Sequence, residues 1–411
     1  MIFRKKLKKL KSISQALKTN NKTLSIFIFN RLEFSGSLGD LGTLLPIAIA
    51  MIVLNGLYAT NVMVTIGLFY VIAGLYFKVP VPVQPMKVIG AYAIAMGLTP
   101  TQIIAASLWM GLCVLFLGTT GLIHFIAKYT PKSTVRGVQL SVGIVLMIKG
   151  LGFMIKPDPN LAVQSIGPVN IGIILGVVGM VVTFLLLENR RIPAAVIMVF
   201  GGILLGLFIG KPLKLEELKI GFHIPQYFPY GLPSWSDMIW VIPVLVLPQI
   251  PATIGNAIIS NTDVMHEYFG KRAHRASYRS IANSQGIADV ISSMWGGIPM
   301  CHGAGGLAAM YRFGARTAGA NLIIGGIFVI LGLIFGQSAL LILNLLPLSI
   351  LGVLLVFAGA QLALMVRDLT ERKDLFVALI MLCIALTINL AVAFICGIII
   401  AYILKSEKIN V

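Results

Sequence analysis

What most constrains this chain is the recurrence, over nearly all its length, of apolar runs close to what a helix needs to cross a bilayer. The runs are continuous rather than alternating, which disfavours a β-barrel. Only 11% of the residues are charged and 58% are hydrophobic, against roughly a quarter charged in soluble domains. The expected class is an all-α polytopic membrane protein.

Seven spans read near 36–56, 60–78, 83–98, 101–128, 134–154, 165–187 and 192–210. After a polar, aromatic loop, seven more read near 237–259, 276–296, 298–313, 317–337, 342–365, 374–391 and 392–405. Charge supports this count, because cytoplasmic loops of membrane proteins are enriched in Lys and Arg. With the basic stretch IFRKKLKKLKSISQALKTNNK inside, the inner loops carry Lys78, then Lys128, Lys132 and Arg136, then Arg190 and Arg191. In the second half they carry Lys271, Arg272, Arg275 and Arg279, then Arg312 and Arg316, then Arg367, Arg372 and Lys373. Lys405 and Lys408 also fall inside, whereas the outer loops hold only Lys149, Lys156, Lys211, Lys214 and Lys219. Both termini are therefore expected in the cytoplasm, with the chain in the cytoplasmic (plasma) membrane.

The net charge of +18 belongs to these loops and to the tail, which suits anionic lipid and not nucleic acid. The tail has no apolar core of signal-peptide length. Cys113, Cys301, Cys383 and Cys396 all fall in apolar segments without metal-ligand spacing. No metal or cofactor is expected.

Seven is odd, so related halves would enter the membrane in opposite senses, as in the inverted repeats of secondary transporters. The third span of each half opens on a Pro-Met pair, Pro85-Met86 and Pro299-Met300. Around the first pair the chain reads PVPVQPMK. Proline fixes φ, removes a donor and pushes its predecessor to extended geometry. Residues 80–84 are thus expected to be extended, with Pro85 in the first turn of a half-helix. Non-helical backbone at membrane depth persists only inside protein or along a wet cavity. The N-terminus of such a half-helix presents unpaired N–H groups and partial positive charge to an anion.

Lys87 in that first turn opposes the helix dipole and costs roughly 2.5–3.5 kcal/mol on insertion scales. Its compensation is a bound anion, an ion pair with Asp40 of the first span or both together, unless the side chain snorkels to one face. In the second half, GGIPMCHGAGG (296–306) repeats the pattern. Its glycines suit either a ligand's close approach or tight helix packing. Gln84, Pro85, Met86 and Lys87 from one half, with Cys301, His302, Gly303 and Ala304 from the other, form the candidate binding set. His302 is either a neutral ring bonded to a carbonyl or a donor to an anion or proton relay; Cys301 reads as a small apolar filler. Gln249, Thr253 and Asn256 fall on one helical face and offer amides to a ligand or to neighbouring helices. Asp263, His266, Glu267 and His274 read as a solvated loop, and Asp289 as a coupling acid or an ion-pair partner.

Three stretches, FSGSLGDLGTLLPI (34–47), PVPVQPMKVIGAYAIA (80–95) and GGIPMCHGAGGLAAMYRFGART (296–317), resemble the molybdate transporter family. That branch is related to the sulfate permeases and, more distantly, to the nucleobase permeases. The resemblance implies a 7+7 inverted repeat with discontinuous half-helices in spans 3 and 10. It also implies a core of spans 1–4 and 8–11 sliding against a gate of spans 5–7 and 12–14. The segments would be a tail (1–32), core (33–130), gate (131–211), outer loop (212–236), core (237–337), gate (338–405) and tail (406–411). The implied substrate is a tetrahedral oxyanion, molybdate first and sulfate second, held between the half-helices and coupled to a proton or ion gradient, in a chain whose relatives include dimers. The chain ends soon after its last span, without the C-terminal regulatory domain of the broader sulfate permeases.

The site's amides and His302, in place of an acid, favour an oxyanion over a nucleobase. No ATP-binding loop GxxxxGK[ST] occurs, and no carboxylate cluster or nucleophile–base pair suggests an enzyme. An anion channel of the same fold remains the reading from another class.

Overall fold

The computed structural model describes residues 26–155, 165–166, 169–187, 189, 192–209, 218 and 220–405. The expectations placed on the tail through residue 25, on Lys156, Arg190, Arg191, Lys211, Lys214 and Lys219, and on residues 406–411 lie outside the described residues.

The first span is broken. Helices α1 (Arg31–Ser37) and α2 (Leu41–Asn55) meet at a 45° bend, where a single helix over 36–56 was expected. Gly36 and Gly39 lie at the bend, and a side chain on either would meet the backbone of Ala315 or Ala309. Close approach of the second half therefore sets the break. α3 (Ala59–Phe77) follows, ending on Lys78 in the left-handed region. The next span contributes a two-residue strand, β1 (Gln84–Pro85), and a ten-residue helix, α4 (Lys87–Met96). Pro85 thus lies in the strand, not in the helix's first turn, and Met86 is the extended cap residue.

The first half continues with α5 (Pro100–Thr120), α6 (Ile123–Tyr129), α7 (Lys132–Ile155), the small hairpin β2–β3 (Ser165–Ile166, Val169–Asn170), α8 (Gly172–Leu186) and α9 (Ala194–Ile209). The long helix α10 (Trp235–Ala273) opens the second half. Two stretches of it, Ile242–Val246 and Thr253–Ser260, are π-helical; Pro243 lies in the first, and Pro248 and Pro251 lie in the α-helical turn between them. The helix runs on past residue 260, so Asp263, His266 and Glu267 are helical rather than part of the expected loop.

Next come α11 (Tyr278–Met294), β4 (Met300–Cys301), α12 (Ala304–Phe313), α13 (Gly319–Phe335), α14 (Ser338–Leu343), α15 (Leu348–Ala363), α16 (Arg372–Thr387) and α17 (Leu390–Leu404). Among the described residues five helices are long and apolar enough to cross a membrane, six with the bent first pair. The other apolar elements, α4 among them, are shorter.

The halves are cross-linked by four reciprocal pairings: α3 with α13, α5 with α11, α7 with α15, and β1 with β4. Close backbone approach makes the helix pairs. A Cβ on Gly67 would lie 2.6 Å from the Gly325 carbonyl oxygen, and one on Gly325 would lie 2.7 Å from that of Gly67. Such small-residue seams take the place of hydrophobic exclusion in lipid, which cannot drive helix pairing there.

Candidate functional site

The site is built on the proline-rich entry to α4. Its backbone groups cannot pair within a helix, so each needs an outside partner. Asn321 of α13 takes both groups of Val81: the N–H donates to Oδ1 (2.9 Å) and Nδ2 donates to the carbonyl (2.7 Å). The Val83 N–H donates to Asp40 Oδ2 (3.1 Å), and the Tyr70 hydroxyl lies 3.0 Å from the Val83 carbonyl. The Pro82 carbonyl accepts from His302 Nδ1 (2.8 Å). Beyond it, Gln84 faces Cys301 and Pro85 faces Met300 in an antiparallel ladder. Buried side chains from both halves thus replace the missing helix.

The second half is braced likewise. Asp289 Oδ1 accepts from the Met300 N–H (2.7 Å), and Ser292 donates to the Ile298 carbonyl (2.8 Å). α4 and α12 leave from opposite ends of the ladder, so both helix N-termini flank the strand pair.

Lys87 is the first residue of α4. Its side chain lines a cavity of about 20 Å³ together with Gln249, Thr253, Asn256 and Cys301. That volume suits one water molecule. Lys87 and Asn256 also line the adjoining cavity of about 500 Å³, which Thr43, Gly305 and Arg312 help to enclose. The Asn256 side chain makes no hydrogen bond to a described residue, and Asn256 lines both cavities.

Lys87 does not pair with Asp40, the alternative that the sequence left open. Asp40 is fully buried; Oδ2 accepts from Tyr70 (2.6 Å) and Val83, and Oδ1 accepts from Gln84 Nε2. Among the described residues the ion pairs join Asp368 to Lys132 and Arg136 instead. Nor does Asp289 find a cation: its second oxygen has no partner.

Gln249 is occupied as well. Its Oε1 accepts from the N–H groups of Val88 (3.0 Å) and Ile89 (3.3 Å), and its Nε2 donates to Thr253 (2.9 Å). It caps α4, taking two of the donors expected to be free. Gln84 Nε2 also reaches Thr43 Oγ1 (3.1 Å), while its buried Oε1 has no partner. That oxygen crowds Gly303, where a Cβ would collide with it.

His302 is turned away from both cavities. Its ring is fully buried against Phe69 and Phe77, with centroids at 4.7 and 6.0 Å. Nδ1 faces the Pro82 carbonyl and must carry a proton to donate; Nε2 lies 3.2 Å from the Ser284 hydroxyl. Both nitrogens are taken. Met86 is buried at the cap of α4, and Gly303 and Ala304 open α12. Cys301 Sγ lies 4.0 Å from the Pro85 carbonyl.

Thr43, Tyr70, Ser284, Arg312 and Asn321 were not legible as site residues. Each is a lone polar group in an apolar or basic context, without a spacing signal. Among the described residues no group of three or more His, Cys, Asp or Glu is placed to hold a metal ion.

The family model described as "Molybdate transporter of MFS superfamily" matches residues 32–146 and 242–362, which contain both strand-and-half-helix segments. Molybdate transporter 2 of Arabidopsis thaliana is 33% identical over 420 residues, covering 92% of this chain and 88% of that protein. Two solved structures share the fold at 16% identity. The transmembrane domain of the cyanobacterial bicarbonate transporter BicA has a TM-score of 0.60, over 90% of this chain and 97% of that one. Murine Slc26a9, an anion transporter in the inward-facing state, has a TM-score of 0.65, over 96% and 70%. This chain is an integral membrane protein and belongs to the molybdate transporter family.

Proposed function

We propose that the protein is a secondary transporter of a tetrahedral oxyanion, molybdate, which binds beside Lys87 where the two half-helix N-termini meet. The observation that carries this reading is Lys87 itself: a membrane-embedded cation that faces a cavity with no acid paired to it among the described residues. The small cavity holds no more than water, so the oxyanion occupies the adjoining larger one at the Lys87–Asn256 wall. Among the described residues no Asp or Glu lines either cavity, so none of them repels a dianion there. The Asn256 amide, the Lys87 ammonium and the first N–H groups of α12 replace part of the ion's hydration.

The position of the cavity supports alternating access. One wall comes from α2, α4, α10 and α12, the other from α8, α9 and α15. Sliding the first set against the second, driven by a coupled proton or ion, would carry the site across the membrane. The larger cavity reaches Asn189 and Arg312, beside loops read as cytoplasmic, which fits an inward-open arrangement.

Uptake of labelled molybdate into proteoliposomes tests this reading. Tungstate competes strongly, sulfate by an amount that ranks the two oxyanions, and uracil not at all. Competition by uracil without competition by tungstate would replace the oxyanion by a nucleobase. Flux at channel rates with no coupling gradient would replace the transporter by a channel.

A further inference from the structure

We propose that the flank between α3 and α11 is a binding groove for one anionic phospholipid. α3 pairs with α13 and α11 with α5, so α3 and α11 leave a gap between them of about 640 Å³. Phe69, Ile72 and Tyr76 line it on one side; Ser284, Ile287 and Ile291 line it on the other. Ile72 is 57% and Ile287 51% exposed, so the groove opens sideways to the surroundings of the bundle, where lipid lies.

Its two ends differ in chemistry. One end carries Ser277, Arg279 and Ser280, with no Asp or Glu among the described residues along the lining. Arg275 stands next to it, donating to the Tyr76 carbonyl (2.8 Å) with its guanidinium 5.8 Å from the Tyr76 ring centroid. Neither arginine is ion-paired to an acid among the described residues. From Arg279 the groove follows α11 to Ile291, a rise of about 18 Å. That is close to one leaflet of a hydrocarbon core about 30 Å thick. A cationic, hydroxyl-bearing mouth above an apolar slot one leaflet deep matches a phospholipid with a negative headgroup.

The floor of the groove touches the site's support. Ser284 holds His302 Nε2 (3.2 Å) and Phe69 packs on the His302 ring, whose other nitrogen holds the Pro82 carbonyl. An acyl chain in the groove therefore bears on the two walls that position His302. The inference does not depend on which substrate the protein carries.

Native mass spectrometry of the full-length protein tests it, after incubation with micelles holding equal phosphatidylglycerol and phosphatidylcholine. One phosphatidylglycerol is expected to stay bound in preference to phosphatidylcholine by roughly thirtyfold, the scale for two arginines beside an anionic headgroup. The double variant Arg275→Gln/Arg279→Gln brings phosphatidylglycerol down to the phosphatidylcholine level. Ile287→Trp, or the milder Ala288→Leu, fills the slot and lowers retention of both, whereas Ile330→Trp on the exposed face of α13 changes neither. Thermal melting checks that each variant is folded. Equal retention of the two lipids by the wild type, or retention of phosphatidylglycerol unchanged by the arginine and slot-filling variants, would overturn the proposal.

Discussion

Met86 donates its backbone N–H to the carbonyl of Pro299 at 2.8 Å, across the two halves of the chain. The bond extends the ladder in which Gln84 faces Cys301, and it ties the cap of α4 to the strand that leads into α12. The two short helices are therefore joined directly through their lead-in segments. In the proposed transport cycle, this bond would let the two N-termini move together with a ligand held between them.

Gln249→Glu separates capping from binding. A carboxylate on the N–H groups of Val88 and Ile89 suits the helix dipole, by about 0.3–1 kcal/mol, so the melting temperature holds or rises. The same charge sits beside Lys87 in the small cavity and repels an incoming anion. Oxyanion affinity is expected to fall by at least about tenfold, the size of losing one charge-assisted hydrogen bond. Calorimetric titration alongside a melting curve reads both effects; an unchanged affinity would place Gln249 outside the field that the anion feels.

Asn321→Ala removes both partners of Val81, whose flanking prolines offer no substitute. Leaving a buried donor or acceptor unpaired costs roughly 1–3 kcal/mol each. The variant should melt well below the wild type in detergent, and Asn321→Asp should fall between them, because an ionised carboxylate still accepts from the Val81 N–H but cannot donate to its carbonyl. Wild-type melting of Asn321→Ala would mean that the extended segment is held elsewhere.

Much of this architecture could be read from residue order. Alternating prolines at 80, 82 and 85 announced an extended entry, and Lys87 does begin a short helix, with Pro85 two residues ahead of it rather than inside it. The break in the first span gave no such warning: Leu38, Gly39 and Asp40 carry no proline, and the bend follows from the close approach of α12 and the chain beyond it. The partners of the extended segment were hidden for another reason. Asn321 and Tyr70 are single polar residues on apolar helices, and only tertiary pairing shows that they replace backbone partners. Lys87 and Asp40 read as charges needing compensation, but spacing cannot reveal that Tyr70, Val83 and Gln84 already surround Asp40.

His302→Ala is expected to act on stability. It deletes a buried ring packed on Phe69 and Phe77 and frees the Pro82 carbonyl, at a combined cost of about 3 kcal/mol or more. His302→Asn, which can keep one donor, should recover part of the loss. Binding affinity in whichever variant remains folded should change little. A large loss of affinity with wild-type melting would return His302 to the substrate's contacts.

The central claim, that Lys87 is the cation the oxyanion meets, is tested most directly by titrating molybdate into purified wild type and Lys87→Ala. A hydrogen bond to a charged group contributes about 1.5–3 kcal/mol, so Lys87→Ala should bind roughly 10- to 150-fold more weakly while melting no lower than the wild type, because no ion pair is lost. Equal affinity in the two proteins would contradict the account.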